Sequence, residues 1–270
     1  RFDDDTLEPQ TTYRYRVRSS NAAGDSDWVF VNVTTPAAPV VRWRVETWAS
    51  GLRDPNNTSS PDVVWSMRFT PDLTRMLYTP RDRTTIEVRS IDVATKQVTT
   101  ILGTAPVRDE NFAGILGMTF HPEFASNRQL YICYSLFIGT ERRNRVSRFT
   151  LDSSSGLERL TNELPMLNLA GGFTQNGCRV VVGPDGKLYA SMGYTGNFSI
   201  AQDLNQPGGK ILRINLDGTI PNDNPYYAQT TGDARAIWTF GHRNPQGIAF
   251  RPGNNQLWST EHGENTRDEL

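Results

Sequence analysis

Three short stretches of this 270-residue chain concentrate side chains able to do chemistry. Gly241-His242-Arg243-Asn244-Pro245-Gln246-Gly247 sets an imidazole, a guanidinium and two amides around a proline-fixed bend. Glu261-His262-Gly263-Glu264 adds two carboxylates and a second imidazole, and Thr174-Gln175-Asn176-Gly177 adds a hydroxyl and further amides. Together they suit a polar ligand, or a hard cation that takes oxygen donors. Each group also has a plain structural use. Arg243 could pair with a carboxylate where two repeats meet, and His242 and His262 could each be satisfied inside the fold. A hydrolase or lyase has little support, because the chain carries neither a Gly-x-Ser-x-Gly elbow nor a metal-binding histidine triad.

The elements that must position these groups come from a motif present in four copies. They run Val64-Trp-Ser-Met-Arg-Phe-Thr-Pro-Asp to Met76-Leu-Tyr, Ile115-Leu-Gly-Met-Thr-Phe-His-Pro-Glu to Gln129-Leu-Tyr, Cys178-Arg-Val-Val-Val-Gly-Pro-Asp-Gly-Lys-Leu-Tyr, and Gly247-Ile-Ala-Phe-Arg-Pro-Gly to Gln256-Leu-Trp. Pro71, Pro122, Pro184 and Pro252 set a period of 51, 62 and 68 residues. Self-similarity on that scale, with two short strands about a Pro/Gly turn, predicts an all-β fold of β-propeller blades, with about four blades present. Further strands follow the copies at Thr85–Asp92, Gln97–Ile101, Arg145–Asp152 and Lys210–Gly218. Their period-2 alternation predicts outer strands with one solvated face.

In a propeller the first strand of each blade lines the central channel, so the residues just before it converge at one mouth. That rule selects Thr174–Gly177 and Gly241–Gln246, and, for the first two copies, Ser60-Pro61-Asp62 and Arg108-Asp109-Glu110-Asn111. Glu261–Glu264 is expected at the same rim.

Composition narrows the partners. Lys+Arg 28 against Asp+Glu 29 leaves a net charge of −1, which gives no basic footprint for nucleic acid. No apolar run is long enough to span a bilayer. Cys133 and Cys178 are read as two buried free thiols, with a disulfide as the lesser option, and no CxxC suggests zinc.

Residues 1–36 differ from the repeat-bearing remainder of the chain. Leu7–Arg18 and Trp28–Thr35 read as strands about a turn at Asn21–Asp25. The Leu7-x-Pro9-x-Thr11-x-Tyr13 spacing resembles the tyrosine-corner region of fibronectin type III modules. The resemblance implies the last part of such a β-sandwich, joined by a linker over 37–44 to a propeller over 45–270. The start looks like an interior cut, and the fourth copy stops soon after its second strand, so a longer polypeptide is expected.

Several strings resemble the soluble glucose/sorbosone dehydrogenases: Gly241-His-Arg-Asn-Pro-Gln-Gly-Ile-Ala-Phe, Glu261-His-Gly, Gly183-Pro-Asp-Gly-Lys-Leu-Tyr, Ile115-Leu-Gly-Met-Thr-Phe-His-Pro-Glu-Phe and Gly209-Lys-Ile-Leu-Arg-Ile-Asn-Leu-Asp-Gly. These are six-bladed quinoproteins that oxidise aldose sugars with pyrroloquinoline quinone and Ca2+. The resemblance implies oxidation of a C1 hydroxyl to a lactone with hydride passing to the quinone, an external electron acceptor, and a secreted or periplasmic location. It implies cofactor contacts from Arg243, Asn244 and His262, and calcium held by the backbone carbonyls of Gly263 and Glu264. The family's base histidine opens a His-Asn-Gly-Gly-Arg string that here reads Gln175-Asn176-Gly177-Cys178-Arg179. An amide cannot accept the proton that an imidazole can, and loss of such a base costs about 10²–10⁴ in rate. A Gly-Asp pair of the family is here Gly193-Tyr194. These departures keep open an alternative, an impaired propeller that binds carbohydrate or protein outside the cell.

Overall fold

The computed structural model describes residues 7–18, 20–21, 24–37, 44–54, 57–264 and 267–270. The chain forms two compact units, 1–50 and 51–270. Most of the expected linker, residues 38–43, lies outside the described residues, as do Ala22 and Ala23 of the expected turn.

The smaller unit contains β1 (Thr12–Val17), the two-residue β2 (Ser20–Asn21) and β3 (Gly24–Asp25), and β4 (Val29–Thr34). Strands β1 and β4 pair antiparallel from Thr12↔Thr34 to Val17↔Val29. The Tyr13 hydroxyl accepts a hydrogen bond from the Glu8 amide at 2.8 Å, which closes the chain back on the residues before the strand.

The larger unit opens with β5 (Arg53–Asp54) against β6 (Asn57–Pro61) and then builds antiparallel meanders. The first contains β7 (Val64–Phe69), β8 (Arg75–Pro80), β9 (Thr85–Asp92) and β10 (Val98–Pro106). The second contains β11 (Ile115–Phe120), β12 (Gln129–Ile138), β13 (Glu141–Asp152) and β14 (Arg159–Ala170), with a short helix α1 (Phe124–Asn127) between its first two strands. The third contains β15 (Gly177–Val182), β16 (Leu188–Met192), β17 (Lys210–Ile214) and β18 (Ile237–Phe240). A hairpin of β19 (Pro245–Phe250) and β20 (Leu257–Glu261) comes last. The first two meanders touch in parallel at one pair, Leu102↔Arg159, and so form one eight-stranded sheet.

Each Pro-centred segment of the repeat joins the first and second strands of its unit. At Thr70-Pro71-Asp72-Leu73 the Leu73 amide donates to the Thr70 carbonyl at 2.8 Å, and Asp72 Oδ1 accepts from the Thr74 amide at 3.1 Å. Pro fixes φ at the second turn position and the Asp carboxylate satisfies the amide beyond it, so local chemistry alone makes this turn. The first strands β7, β11, β15 and β19 then lie side by side in that order. Within the larger unit the meanders pack on apolar clusters, with Leu77, Ile86, Ile115 and Leu130 fully buried in one and Cys178, Val180, Leu188 and Leu212 in the next.

Two expectations are corrected. Cys133 and Cys178 are joined in a disulfide across 45 residues, tying β12 of the second meander to β15 of the third. Closing a loop of that length removes unfolded-chain entropy equivalent to about 4 kcal/mol in the chain-entropy model. Of the outer strands, β10 does expose its polar residues Thr99, Thr100 and Thr104, but β9 and β17 do not turn a polar face to water. In β9 the alternate residues Glu87 and Arg89 are buried and pair at 2.6 Å, with Arg89 also 3.3 Å from Asp62. In β17 buried Arg213 pairs with Asp185 at 2.9 Å and Asp223 at 2.8 Å. The alternation is real, but its polar half packs between elements, where each charge needs a partner.

Lys210 is the most enclosed of these groups. Fully buried, its ammonium donates to the carbonyls of Ile200, Ala201 and Gly208 at 2.7, 2.9 and 2.8 Å. Burial pushes it down to about 8, which still leaves it mostly protonated at neutral pH. It thereby closes the loop that leads from β16 to β17. Lys210→Met should strand those carbonyls and lower unfolding free energy by about 3 kcal/mol or more. Urea denaturation checks this; a loss under about 1 kcal/mol would show that the carbonyls find other donors.

Candidate active site

The loops ahead of β15 and β19 meet over one end of the first strands. Ahead of β15 the backbone turns sharply, with φ of +46° at Gln175, +63° at Gly177 and +74° at Cys178. Asn176 is buried beneath this turn. Its Oδ1 accepts from the Gly172 amide at 2.9 Å and from Asn144 Nδ2 at 3.0 Å, while its own Nδ2 donates to the Gly172 carbonyl at 3.2 Å. The Gln175 carbonyl accepts from the Thr195 amide at 3.1 Å. A Cβ on Gly193 would lie 2.0 Å from that carbonyl oxygen, so glycine is required there for the two segments to meet.

Ahead of β19, His242 is tied on both sides: one ring nitrogen lies 2.8 Å from Thr239 Oγ1 and the other 3.0 Å from Glu261 Oε2. Burial opposes ionisation of Glu261, but the hydrogen bond and charge of His242 outweigh it and hold the carboxyl below its usual range. His242 is therefore a satisfied structural histidine. Asn244 is buried, and its Oδ1 accepts the Gly177 amide at 3.0 Å, linking the two loops. Arg243 points the other way. Its Nη1 donates to the His262 carbonyl at 3.1 Å and its guanidinium lies 5.8 Å from the centre of the Tyr194 ring. Its buried Nε has no partner among the described residues.

These groups share one cavity of about 920 Å³, lined on this side by Thr174, Gln175, Arg243, Asn244, His262 and Gly263. The structure therefore brings together five of the six residues expected to carry the chemistry: Gln175, Arg243, Asn244, His262 and Gly263. The sixth, Glu264, is exposed and outside the lining. Among the described residues no three His, Cys, Asp or Glu side chains are grouped to hold a metal ion.

The mouth residues expected from the first two repeats have other work. Asp62 is buried with Arg83 at 2.5 Å, and Tyr78 donates to it at 3.0 Å. The side chains of Ser60 and Pro61 lie outside the described residues. Arg108 donates to the Gly172 carbonyl at 3.0 Å and to Glu110 at 3.0 Å, and Glu110 receives Arg142 at 2.9 and 2.7 Å. In their place Trp65, Arg81, Phe112 and Asp268 line the cavity, with Arg81 over the Trp65 ring at 5.5 Å and near Phe112 at 6.0 Å. The repeat held a signal for Arg81: it stands three residues past Tyr78, as Glu261 stands three past Trp258.

A match to the family model described as Glucose / Sorbosone dehydrogenase spans residues 60–270. The chain belongs to the glucose/sorbosone dehydrogenase family. It is 31% identical over 215 residues to the aldose sugar dehydrogenase YliI of Escherichia coli, covering 77% of this chain and 56% of that protein. Over 185 residues it is 36% identical to quinoprotein glucose dehydrogenase B of Acinetobacter calcoaceticus, covering 58% of this chain and 37% of that protein. The PQQ-bound aldose sugar dehydrogenase of Streptomyces coelicolor superposes with a TM-score of 0.69 at 28% identity, over 83% of this chain and 61% of that one. This member of the dehydrogenase family thus has an all-β, propeller-like fold and spans about half the length of the curated relatives it matches.

Glu110 yields a pH prediction. Hydrogen bonds from Arg142 first, and then Arg108, hold its carboxyl down at about 2 against an ordinary 4.5. Its folded value is depressed, so its contribution is present above about pH 4.5 and is lost as pH falls towards 2. Glu110→Gln should therefore be less stable than the native protein at pH 7, with the gap closing between those limits. Thermal melts across that range decide it; a gap independent of pH would mean that the carboxylate charge plays no part.

Proposed function

We propose that the cavity binds pyrroloquinoline quinone and that the complete polypeptide oxidises the C1 hydroxyl of an aldose to a lactone. The observation that carries this reading is the Arg243 guanidinium, held at the cavity wall with a buried Nε that no group among the described residues satisfies. A ligand carboxylate would pair with the guanidinium where it lines the cavity, and charge-assisted bonds of this kind are the strong ones. Asn244 would stand beside it, its Oδ1 committed to Gly177, with His262 on the same wall. When bound, the quinone supplies the hydride acceptor. An accompanying Ca2+ would take oxygen donors, and the backbone carbonyls of Gly263, on the cavity wall, and of Glu264 beside it in the chain are the ones the resemblance assigns to it. A diffusible acceptor would remove the electrons.

The weak point of turnover is Gln175. Its side-chain oxygen accepts a hydrogen bond from the Thr174 hydroxyl and the amide holds no proton-accepting nitrogen. This supports the second reading, a chain that binds cofactor or saccharide with catalysis impaired. The family's six blades would be completed by further chain. The Tyr13 hydroxyl closing on Glu8, with two exposed strands in register, supports the end of a fibronectin type III module ahead of the propeller, an arrangement suited to a secreted protein.

Reconstitution with Ca2+ and pyrroloquinoline quinone, followed by fluorescence titration and dye reduction with aldoses, tests the reading. Absence of cofactor binding would end it. Arg243→Ala should weaken cofactor affinity about 10- to 100-fold; unchanged affinity would make Arg243 structural. Gln175→His should raise turnover by about 10²–10⁴ if the base alone is missing. Binding with no gain from the histidine would favour the binding-module reading.

A further inference from the structure

Cys178 stands where a residue with a Cβ is disfavoured. Its φ of +74° lies in the left-handed region, which glycine enters freely and other residues enter at a cost. The backbone there has no room to relax: a Cβ on Gly117 of β11 would lie 2.4 Å from the Cys178 carbonyl oxygen, so the two inner strands are in direct contact. On either side of Cys178, Gly177 donates to Asn244 Oδ1 at 3.0 Å, and the Arg179 amide donates to Ser191 Oγ at 3.0 Å. A swing of residue 178 to ordinary φ would break both bonds and withdraw Gln175 and Gly177 from the cavity wall.

The other half of the disulfide is anchored. Cys133 sits in the middle of β12, in register with Val146 of β13, and both cysteines are fully buried. We propose that the Cys133–Cys178 disulfide is a positioning device for the cavity: it holds residue 178 in the left-handed conformation and so fixes the Gln175–Gly177 turn. The pair of cysteines acts as one unit, the crosslink compensating for a side chain at a position built for glycine. This holds whatever ligand the cavity takes, and only a measurement of cofactor affinity rests on the proposed dehydrogenase function.

Two double variants of the full chain separate positioning from plain stabilisation. Both Cys133→Ser/Cys178→Ala and Cys133→Ser/Cys178→Gly lose the crosslink, and both should melt at lower temperature. Only the glycine variant can hold a positive φ without cost. Hydrogen-exchange mass spectrometry should show residues 174–178 exchanging about 10-fold faster than native in the alanine variant, with strand β13 unchanged, and close to native in the glycine variant. Equal exchange at 174–178 in the two variants overturns the proposal. If the alanine variant fails to fold, the glycine variant decides alone: native protection there supports the proposal, and lost protection overturns it. Affinity for pyrroloquinoline quinone should follow the same order, falling about 10-fold with alanine and recovering with glycine. A native protein that does not bind the quinone would remove the cofactor reading and leave the exchange result to judge the disulfide.

Discussion

A buried hydrogen bond joins the two loops of the site. Gly177 donates its amide to Asn244 Oδ1 at 3.0 Å, and both residues are buried. The loops it connects precede strands in different repeats, so neither loop's shape is set by its own hairpin. Asn176, on one side, is satisfied by Asn144 and Gly172. On the other, the Asn244 carbonyl accepts from the His262 amide at 3.4 Å, bringing the end of β20 into the same cluster. Breaking a buried link of this kind costs the desolvation of whichever partner is left, about 1–3 kcal/mol. The wall that carries Gln175, Arg243 and His262 is in place because amides beneath it have nowhere else to bond.

How far the sequence was legible depends on where each partner lies along the chain. The Pro turns were readable because Thr70, Pro71 and Asp72 make their turn with neighbours two or three residues away. The loops before β15 and β19 were readable because the repeat places them and, among the described residues, no ion pair draws Gln175 or Arg243 elsewhere. The equivalent loops of the first two repeats misled because Asp62 answers to Arg83 and Arg89, and Arg108 to Gly172, 64 residues on. Period-2 alternation in β9 and β17 told which residues share a face, but not whether that face met water or another element. The disulfide was hidden for the same reason, since its cysteines belong to different repeats and only the packing of β12 beside β15 brings them together.

Departures from the family strings are not scattered at random over the site. Asn176, Gly177 and Asn244, whose groups hold the loops together, stand unchanged. Gln175, by contrast, is half-buried with its side chain bonded to its neighbour Thr174, and Glu264 is exposed. Cys178 is the exception that brings its own compensation. A further departure, Tyr194, bears on charge. The family's Gly-Asp pair would place a carboxylate near this turn, where it would compete for a neighbouring cation. Tyr194 is buried and instead presents a ring face 5.8 Å from the Arg243 guanidinium, while its amide donates to the Arg243 carbonyl at 2.9 Å. A ring attracts a guanidinium by roughly 0.5–2 kcal/mol without neutralising it or taking up its N–H groups. Arg243 is thus held in place with its charge unpaired by any carboxylate among the described residues, and a cation kept in that state at a cavity wall has an anion as its natural complement.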